Sequence, residues 1–109
     1  MENNFEVKYL DQATEFIRSI DRKAAKKLLF NISKAQLVND NSVFKKLKGT
    51  DIWEFRAIAE GIQYRLFAFW VKKENVFVIC THGIIKKSQK TPVREIEKAE
   101  QLRKKYFEL

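Results

Sequence analysis

The chain has 109 residues, of which 45% are hydrophobic and 13% are aromatic. This length is typical of one domain, and the apolar content excludes an intrinsically disordered chain. Lys and Arg outnumber Asp and Glu by 22 to 14, which gives a formal net charge of +8. We therefore expect the partner to be a polyanion or an acidic protein.

The cysteine content and the distribution of apolar residues indicate the compartment of the protein and the kinds of site it can have. The one cysteine, Cys80, has no partner for an internal disulfide and excludes a cysteine-based zinc site. No stretch approaches the ~18 apolar residues of a membrane span, and residues 1–20 lack the apolar core of a signal peptide. These features predict a single cytoplasmic domain over residues 1–109 with no membrane partner, no metal and no cofactor.

The first third of the chain predicts one strand and a helical hairpin. Apolar and polar residues alternate from Phe5 to Leu10, as in a half-buried strand. Asp11 and Asp21 are placed to cap two helices, the second with an apolar stripe of Ala25, Leu28, Leu29, Ile32 and Ala35. The opposite face of the second helix is basic, and it is either a solvated face or a contact with RNA. Its lysines are Lys23, Lys26, Lys27 and Lys34.

The remainder predicts three strands and a final helix. Residues 52–59, 62–71 and 76–82 are rich in β-branched and aromatic side chains and are separated by short polar segments. Thr91 and Pro92 predict the cap and first residue of the last helix. The predicted fold class is α+β, in the order β-α-α-β-β-β-α, with helices covering one face of an antiparallel meander.

The predicted registers bring basic side chains together. A two-residue turn at Glu60 and Gly61 places Arg56 opposite Arg65. A turn centred on residues 73–74 places His82 across from Arg65 on the other side. Like charges directly opposite one another are destabilising, so this row predicts either carboxylate partners or a phosphate site. Glu54 is the candidate carboxylate for Arg56, and a satisfied strand-end histidine is the alternative for His82.

This row has the groups that metal-free RNA cleavage needs. The 2′-hydroxyl must lose a proton, the charge on the attacked phosphate must be stabilised, and the leaving 5′-oxygen must be protonated. Arg65 is the candidate for charge stabilisation, since a guanidinium stays protonated and binds two phosphate oxygens. Proton transfer falls to His82, Lys86 or Lys87, and the sequence leaves the choice open.

Further cations are candidates for binding RNA rather than for catalysis. Lys45, Lys46 and Lys48 are predicted to form a loop cluster, and Lys90 lies in a basic loop after the third strand of the meander. Together with Arg56, these side chains would contact phosphates without reading sequence. Solvated lysines are the alternative.

The large apolar side chains divide between two faces under the same registers. The predicted core under the helices consists of Trp53, Phe55, Leu66, Trp70, Phe77 and Ile79. Phe67 and Phe69 share the face of Arg65 and are predicted to line a groove. Cys80 is predicted to be inert packing.

Three motifs in order carry a family resemblance. They are FKKLKGTDIWEFR at residues 44–56, YRLF at residues 64–67 and HGIIKKSQKTP at residues 82–92. Together they resemble the phage-derived, HigB-type branch of the RelE/HigB-like toxin superfamily. The resemblance matches Arg65 to the family's Tyr-Arg step and Lys86, Lys87 and Lys90 to its basic loop. Ile84 stands where relatives commonly have an aromatic residue.

The resemblance implies a RelE-like fold and a type II toxin that acts as an mRNA interferase. Such a toxin is a ribosome-dependent mRNA endonuclease that inhibits translation, with the ribosome, its rRNA and mRNA as partners. A HigA-like helix-turn-helix antitoxin would neutralise it in a hetero-oligomeric complex. The alternative is a non-catalytic module, a degenerate toxin that binds RNA or an acidic partner through the same basic face.

Overall fold

A computed structural model describes residues 4–73, 76–87 and 90–108 of the chain. These residues form β1 (Glu6–Tyr9), α1 (Asp11–Ser19), α2 (Arg22–Leu37), β2 (Phe44–Lys46), β3 (Trp53–Ala59), β4 (Ile62–Lys72), β5 (Val76–Lys86) and α3 (Val93–Glu108). The predicted α+β class is confirmed. Among the described helices, none has the length and apolar character needed to cross a membrane.

The five strands form one mixed sheet in the order β1-β5-β4-β3-β2. Neighbouring pairs from β2 to β5 are antiparallel, whereas β1 runs parallel to β5. The prediction of a wholly antiparallel meander is therefore wrong at β1, because alternating polarity fits a parallel and an antiparallel neighbour equally well. Strand β2 was predicted as a loop, since three residues are too few to show a period.

The β3–β4 hairpin has the predicted register. Its turn is Glu60-Gly61, both with positive φ, at 51° and 78°. Two such residues match the right-handed twist of the flanking strands and fix the pairing. Ala59 consequently pairs with Ile62, and Arg56 pairs with Arg65.

The β4–β5 hairpin differs from the predicted register by more than one residue. Lys72 pairs with Val76, so three residues rather than two separate the strands, and a bulge between Leu66 and Ala68 shifts the register again. Arg65 therefore pairs with Ile84 and not with His82. Strand β5 also runs on to Lys86, so residues 83–86, predicted as part of a loop, are strand.

Helices cover both faces of the sheet, which corrects the predicted single covered face. Helices α1 and α2 pack on a cluster that includes Phe55, Leu66 and Val78. Ala99 and Tyr106 of α3 pack on the other face, against Phe69 and its neighbours. The periodicity of α3 identified its apolar side but carried no information about which face of the sheet receives it.

The shifted register reassigns several predicted core residues, because a slip of one residue moves a strand's side chains to the opposite face. Trp53, Phe55, Leu66 and Trp70 lie under α1 and α2 as predicted. Phe77 and Ile79 lie instead on the α3 face, and Val78 and Cys80 replace them. Phe67 and Phe69 do not line an open groove but are fully buried on the α3 face.

The helix caps agree with the sequence in one of three places. Asp21 caps α2 by accepting a hydrogen bond from the Lys23 backbone. Asp11 is already the first residue of α1, and Leu10 precedes it without a side-chain cap. Helix α3 begins at Val93, so Thr91 does not directly precede it and Pro92 is not its first residue. The Thr91 hydroxyl donates to Glu54 instead. In α2 the inward residues are Ala24, Leu28, Asn31, Ile32 and Ala35, and Leu29, predicted inward, is 41% exposed.

Candidate functional site

Helix α3 covers part of its face of the sheet and leaves the turn end of β3 and β4 open. It reaches as far as His82, which contacts Glu95. Beyond that row Arg65 on β4 is still buried, and exposure rises only toward the Glu60-Gly61 turn, to 58% at Ile58. We call this surface the open half-face, and it comprises Arg56, Ile58, Gln63, Arg65, Ile84 and Lys86.

Arg56 and Arg65 lie directly opposite one another at its centre, as predicted. Glu54, two residues before Arg56 and only 2% exposed, lies between them. Its Oε1 is 3.3 Å from Arg56 Nε and 3.4 Å from Arg65 Nε. Neither Nε is aligned for a hydrogen bond, so among the described residues both buried donors lack an acceptor. One carboxylate therefore faces two guanidinium groups, and the cluster keeps an excess positive charge.

The Arg65 guanidinium is held in one orientation by its neighbours. Its Nη1 donates to the Tyr64 carbonyl at 3.1 Å, and its Nη2 donates to Gln63 Oε1 at 2.7 Å. Burial and the charge of Arg56 lower the pKa of Arg65, and the Glu54 carboxylate opposes them. An arginine in this setting still remains protonated. Arg65 is thus a fixed, buried positive charge.

Lys86 is the proton-transfer candidate nearest to this charge. It pairs with Gln63 across β4 and β5, on the face of Arg65, and is half-buried. Burial and the charge of Arg65 lower the pKa of Lys86, with further lowering from Arg56 and Lys45, while Glu54 opposes them. A lysine with a lowered pKa has a larger neutral fraction near pH 7, as a proton acceptor requires.

His82 is on the same face but lies under α3 and outside the arginine cluster. Its side chain is buried, its Nε2 is 3.2 Å from Glu95 Oε1, and its Nδ1 is 3.0 Å from the Thr81 hydroxyl. Its ring packs 4.9 Å from that of Phe67. The predicted position across from Arg65 is therefore wrong. The contacts match the alternative of a satisfied histidine, but His82 lies inside β5 and not at its end.

A groove of about 460 Å³ connects the arginines to α2. Its lining includes Arg56, Arg65 and the exposed ring of Phe30, with Lys27 and Lys34 from the basic face of the helix. Asn31 anchors the helix here by donating to the Arg56 carbonyl at 2.8 Å. Part of the basic face of α2 therefore continues the positive surface of the open half-face.

The predicted loop lysines are not one cluster. Lys45 and Lys46 lie on β2, where alternation points them to opposite faces of the sheet, and Lys48 is in the following turn. Lys45 pairs with Glu54 and so shares the face of Arg65. Lys87 and Lys90 are exposed at the two ends of the predicted basic loop, whose residues 88 and 89 lie outside the described residues.

Three partners of the site were not predicted as functional residues. Gln63 binds Arg65, Asn31 binds the Arg56 backbone, and Thr91 donates to Glu54 at 3.3 Å. The position of Gln63 could have been predicted from the two-residue period of β4, which puts its side chain on the face of Arg65. Asn31 and Thr91 come from helix packing that no local pattern encodes. Within the described ranges, no group of three or more His, Cys, Asp or Glu side chains is arranged to hold a metal ion.

Comparison with known proteins matches the chain to a protein family. The model of the family described as phage-derived protein Gp49-like (DUF891) matches residues 15–104. This range runs from α1 into α3 and contains every residue of the open half-face. No curated protein gives a significant match.

Proposed function

The chain belongs to the phage-derived Gp49-like family, a family of the RelE/HigB-like toxin type, and we propose that it is an mRNA-cleaving toxin of a type II toxin-antitoxin system. The family is associated with toxins of toxin-antitoxin systems in general, and a toxin of this kind implies an antitoxin partner. In our proposal the toxin acts in the cytoplasm on mRNA bound to the ribosome, without a metal, and a HigA-like antitoxin neutralises it.

The observation that carries this proposal is the arginine pair. Arg56 and Arg65 face one another with one buried carboxylate between them, so two guanidinium groups share a single negative charge. A phosphate bound against the more accessible Arg56 guanidinium supplies the missing negative charge. The scissile phosphate of an RNA strand is such a group.

The reaction we propose is a transfer of the phosphate to the neighbouring 2′-oxygen. A base removes the 2′-hydroxyl proton, the 2′-oxygen forms a bond to phosphorus, and the bond to the 5′-oxygen breaks as that oxygen takes up a proton. Arg65 stabilises the charge on the phosphate in the transition state, and Arg56 orients the strand. Lys86, with its lowered pKa, is our choice for proton transfer, and Lys87 is the alternative.

The test compares wild type with Arg65→Ala under controlled expression. We expect wild type to arrest growth and Arg65→Ala to be harmless, because the cleavage step loses its charge stabilisation. Primer extension on a translated reporter and on its untranslated version should show breaks in the translated message alone. Arg94→Ala is the matched control, since it removes an exposed arginine at the start of α3 and should remain toxic.

A non-catalytic binding module is the second candidate function. It is favoured by the engagement of His82 with Glu95 and by the 4% exposure of Arg65, which leaves Arg56 as the more accessible arginine. Under this alternative, wild type is harmless and no breaks appear. A well-folded Arg65→Ala variant that still cuts translated message would also contradict the assignment of Arg65.

A further inference from the structure

A second site with both aromatic and basic character lies at the end of the sheet away from the Glu60-Gly61 turn. It is a cleft of about 540 Å³ that we call the tryptophan cleft, lined by Lys46, Asp51, Trp53, Trp70, Lys72 and Arg103. Its residues come from β2, from the segment before β3, from β3 and β4, and from α3. The cleft plays no part in the reaction proposed above.

Two indoles form the apolar wall of the cleft. Trp53 and Trp70 are half-buried, and their ring centroids lie 5.8 Å apart with an interplanar angle of 72°. Phe44 supports them from the core side, 4.8 Å from the Trp53 ring and 6.0 Å from the Trp70 ring. The indoles are therefore held in place by packing while each retains some exposed surface.

Cations form the rest of the lining and outnumber the single carboxylate. Lys72 Nζ lies 5.6 Å from the Trp70 ring centroid, and Lys46 pairs with Trp53 across β2 and β3. Asp51 lies 3.7 Å from Arg103, which accounts for one of the three positive charges. The two lysines are exposed and remain to attract an anion.

Aromatic faces beside exposed cations are the combination that binds single-stranded nucleic acid. A base stacks on an indole, and the flanking phosphates contact the lysines. An acidic peptide would also match the charge of the cleft, and the oligoglutamate comparison below distinguishes it from RNA. We propose that the tryptophan cleft binds a single-stranded RNA segment, with a base against the indoles and phosphates on Lys46 and Lys72.

This site is separate from the open half-face. Trp70 follows Arg65 by five residues on β4, a distance of ~17 Å along the strand, and the two side chains point to opposite faces. Lys45 and Lys46 on the edge strand β2 point one to each face and connect the two positive surfaces. The cleft would bind RNA whether or not Arg65 supports cleavage.

Intrinsic fluorescence gives a direct test, because the two tryptophans of the chain both line the cleft. The probe is an eight-residue oligouridylate with 2′-O-methyl riboses, which has no 2′-hydroxyl to attack the phosphate. We expect saturable quenching of tryptophan emission that weakens as salt is raised. Arg65→Ala should be quenched like wild type. An absence of quenching would overturn the proposal.

Charge variants test the phosphate contacts without disturbing the core. We expect the exposed double variant Lys46→Gln/Lys72→Gln to bind the oligonucleotide about tenfold more weakly. The matched control, Lys23→Gln/Lys26→Gln, removes the same charge from α2 and should stay within about twofold of wild type. An equal loss in both variants, or equal quenching by an oligoglutamate peptide, would contradict an RNA site.

Crosslinking in cells identifies the source of the RNA. Ultraviolet irradiation of cells expressing Arg65→Ala, followed by purification of the protein and sequencing of attached RNA, should recover either mRNA or a single-stranded segment of rRNA. Either class supports the proposal, provided that Lys46→Gln/Lys72→Gln reduces its recovery. Recovery that the double variant leaves unchanged would overturn it.

Discussion

The Glu54 carboxylate interacts with three side chains. It lies within ion-pair distance of two arginines and also accepts a hydrogen bond from Thr91. Its side chain is buried, so solvent does little to screen these interactions. Removing one member of a buried ion pair leaves the other charge uncompensated, and here two charges would be left.

We therefore expect Glu54→Gln to lower the free energy of unfolding by about 3 kcal/mol or more. Urea denaturation monitored by circular dichroism measures it. Glu60→Gln is the matched control, because it breaks the exposed Lys23 pair and should change stability by no more than about 0.5 kcal/mol. Similar losses in the two variants would show that Glu54 does not neutralise the arginines.

His82 makes stability depend on pH in a defined direction. Burial lowers its pKa below 6.5, with help from the charge of Lys98, while Glu95 opposes the change. The unfolded chain therefore takes up the proton first as pH falls below about 6.5. Stability is fully present above that pH and is lost as pH falls toward the folded-state pKa.

His82→Gln removes this dependence, and His82 is the one histidine of the chain. We expect wild type to lose stability between pH 7.5 and pH 5.5 and the variant to lose less, since its side chain takes up no proton. Urea midpoints at the two pH values give the comparison. Parallel losses in both proteins would assign the pH dependence to other groups.

Among the elements, β5 and α1 pack unusually closely. A Cβ placed on Gly83 would overlap the ring of Phe16, so the absence of a side chain at this position lets the helix lie directly on the strand. Strand β5 also holds both of its neighbours, β1 and β4. A disturbance at Gly83 would therefore spread to the centre of the sheet.

We expect Gly83→Ala to lower the free energy of unfolding by about 1–3 kcal/mol, the usual effect of overpacking. Chemical denaturation provides the measurement. Adding Phe16→Leu should restore part of the loss, because the smaller side chain makes room for the new methyl group. A double variant whose losses simply add would show that the two residues do not compete for space.

The two hairpins of the sheet explain how far local sequence could predict the fold and the site. The Glu60-Gly61 turn encodes its own geometry, so the β3–β4 register and the Arg56–Arg65 pair followed from the sequence. The β4–β5 register depends on a three-residue connection and on a bulge that the pattern of the sequence does not mark, so the predicted placement of His82 was wrong. The partners from α2 and α3 depend on helix packing, which local periodicity does not specify.

For the whole molecule, the net charge of +8 predicts strongly salt-dependent binding to RNA. Each phosphate contact on a single strand contributes about 0.7 to the slope of log affinity against log salt. Lys45→Gln should reduce that slope by about 0.7 when binding of a labelled single-stranded oligonucleotide is measured by anisotropy. Lys26→Gln should leave the slope unchanged, and a change equal to that of Lys45→Gln would argue against a localised contact.

The pairing of β1 with β5 determines how late in synthesis the sheet can be completed. Strand β1 pairs with a strand that is synthesised much later. Glu54 likewise contacts Thr91, and His82 contacts Glu95, only after those later residues have been made. Translation adds about 5–20 residues per second, so a nascent chain spends seconds emerging from the exit tunnel without these contacts. The Glu54 carboxylate between the two arginines gains its Thr91 donor only when the segment after β5 has emerged. The β1–β5 pairing and the contacts of Glu54 are therefore completed only after β5 and Thr91 have left the exit tunnel.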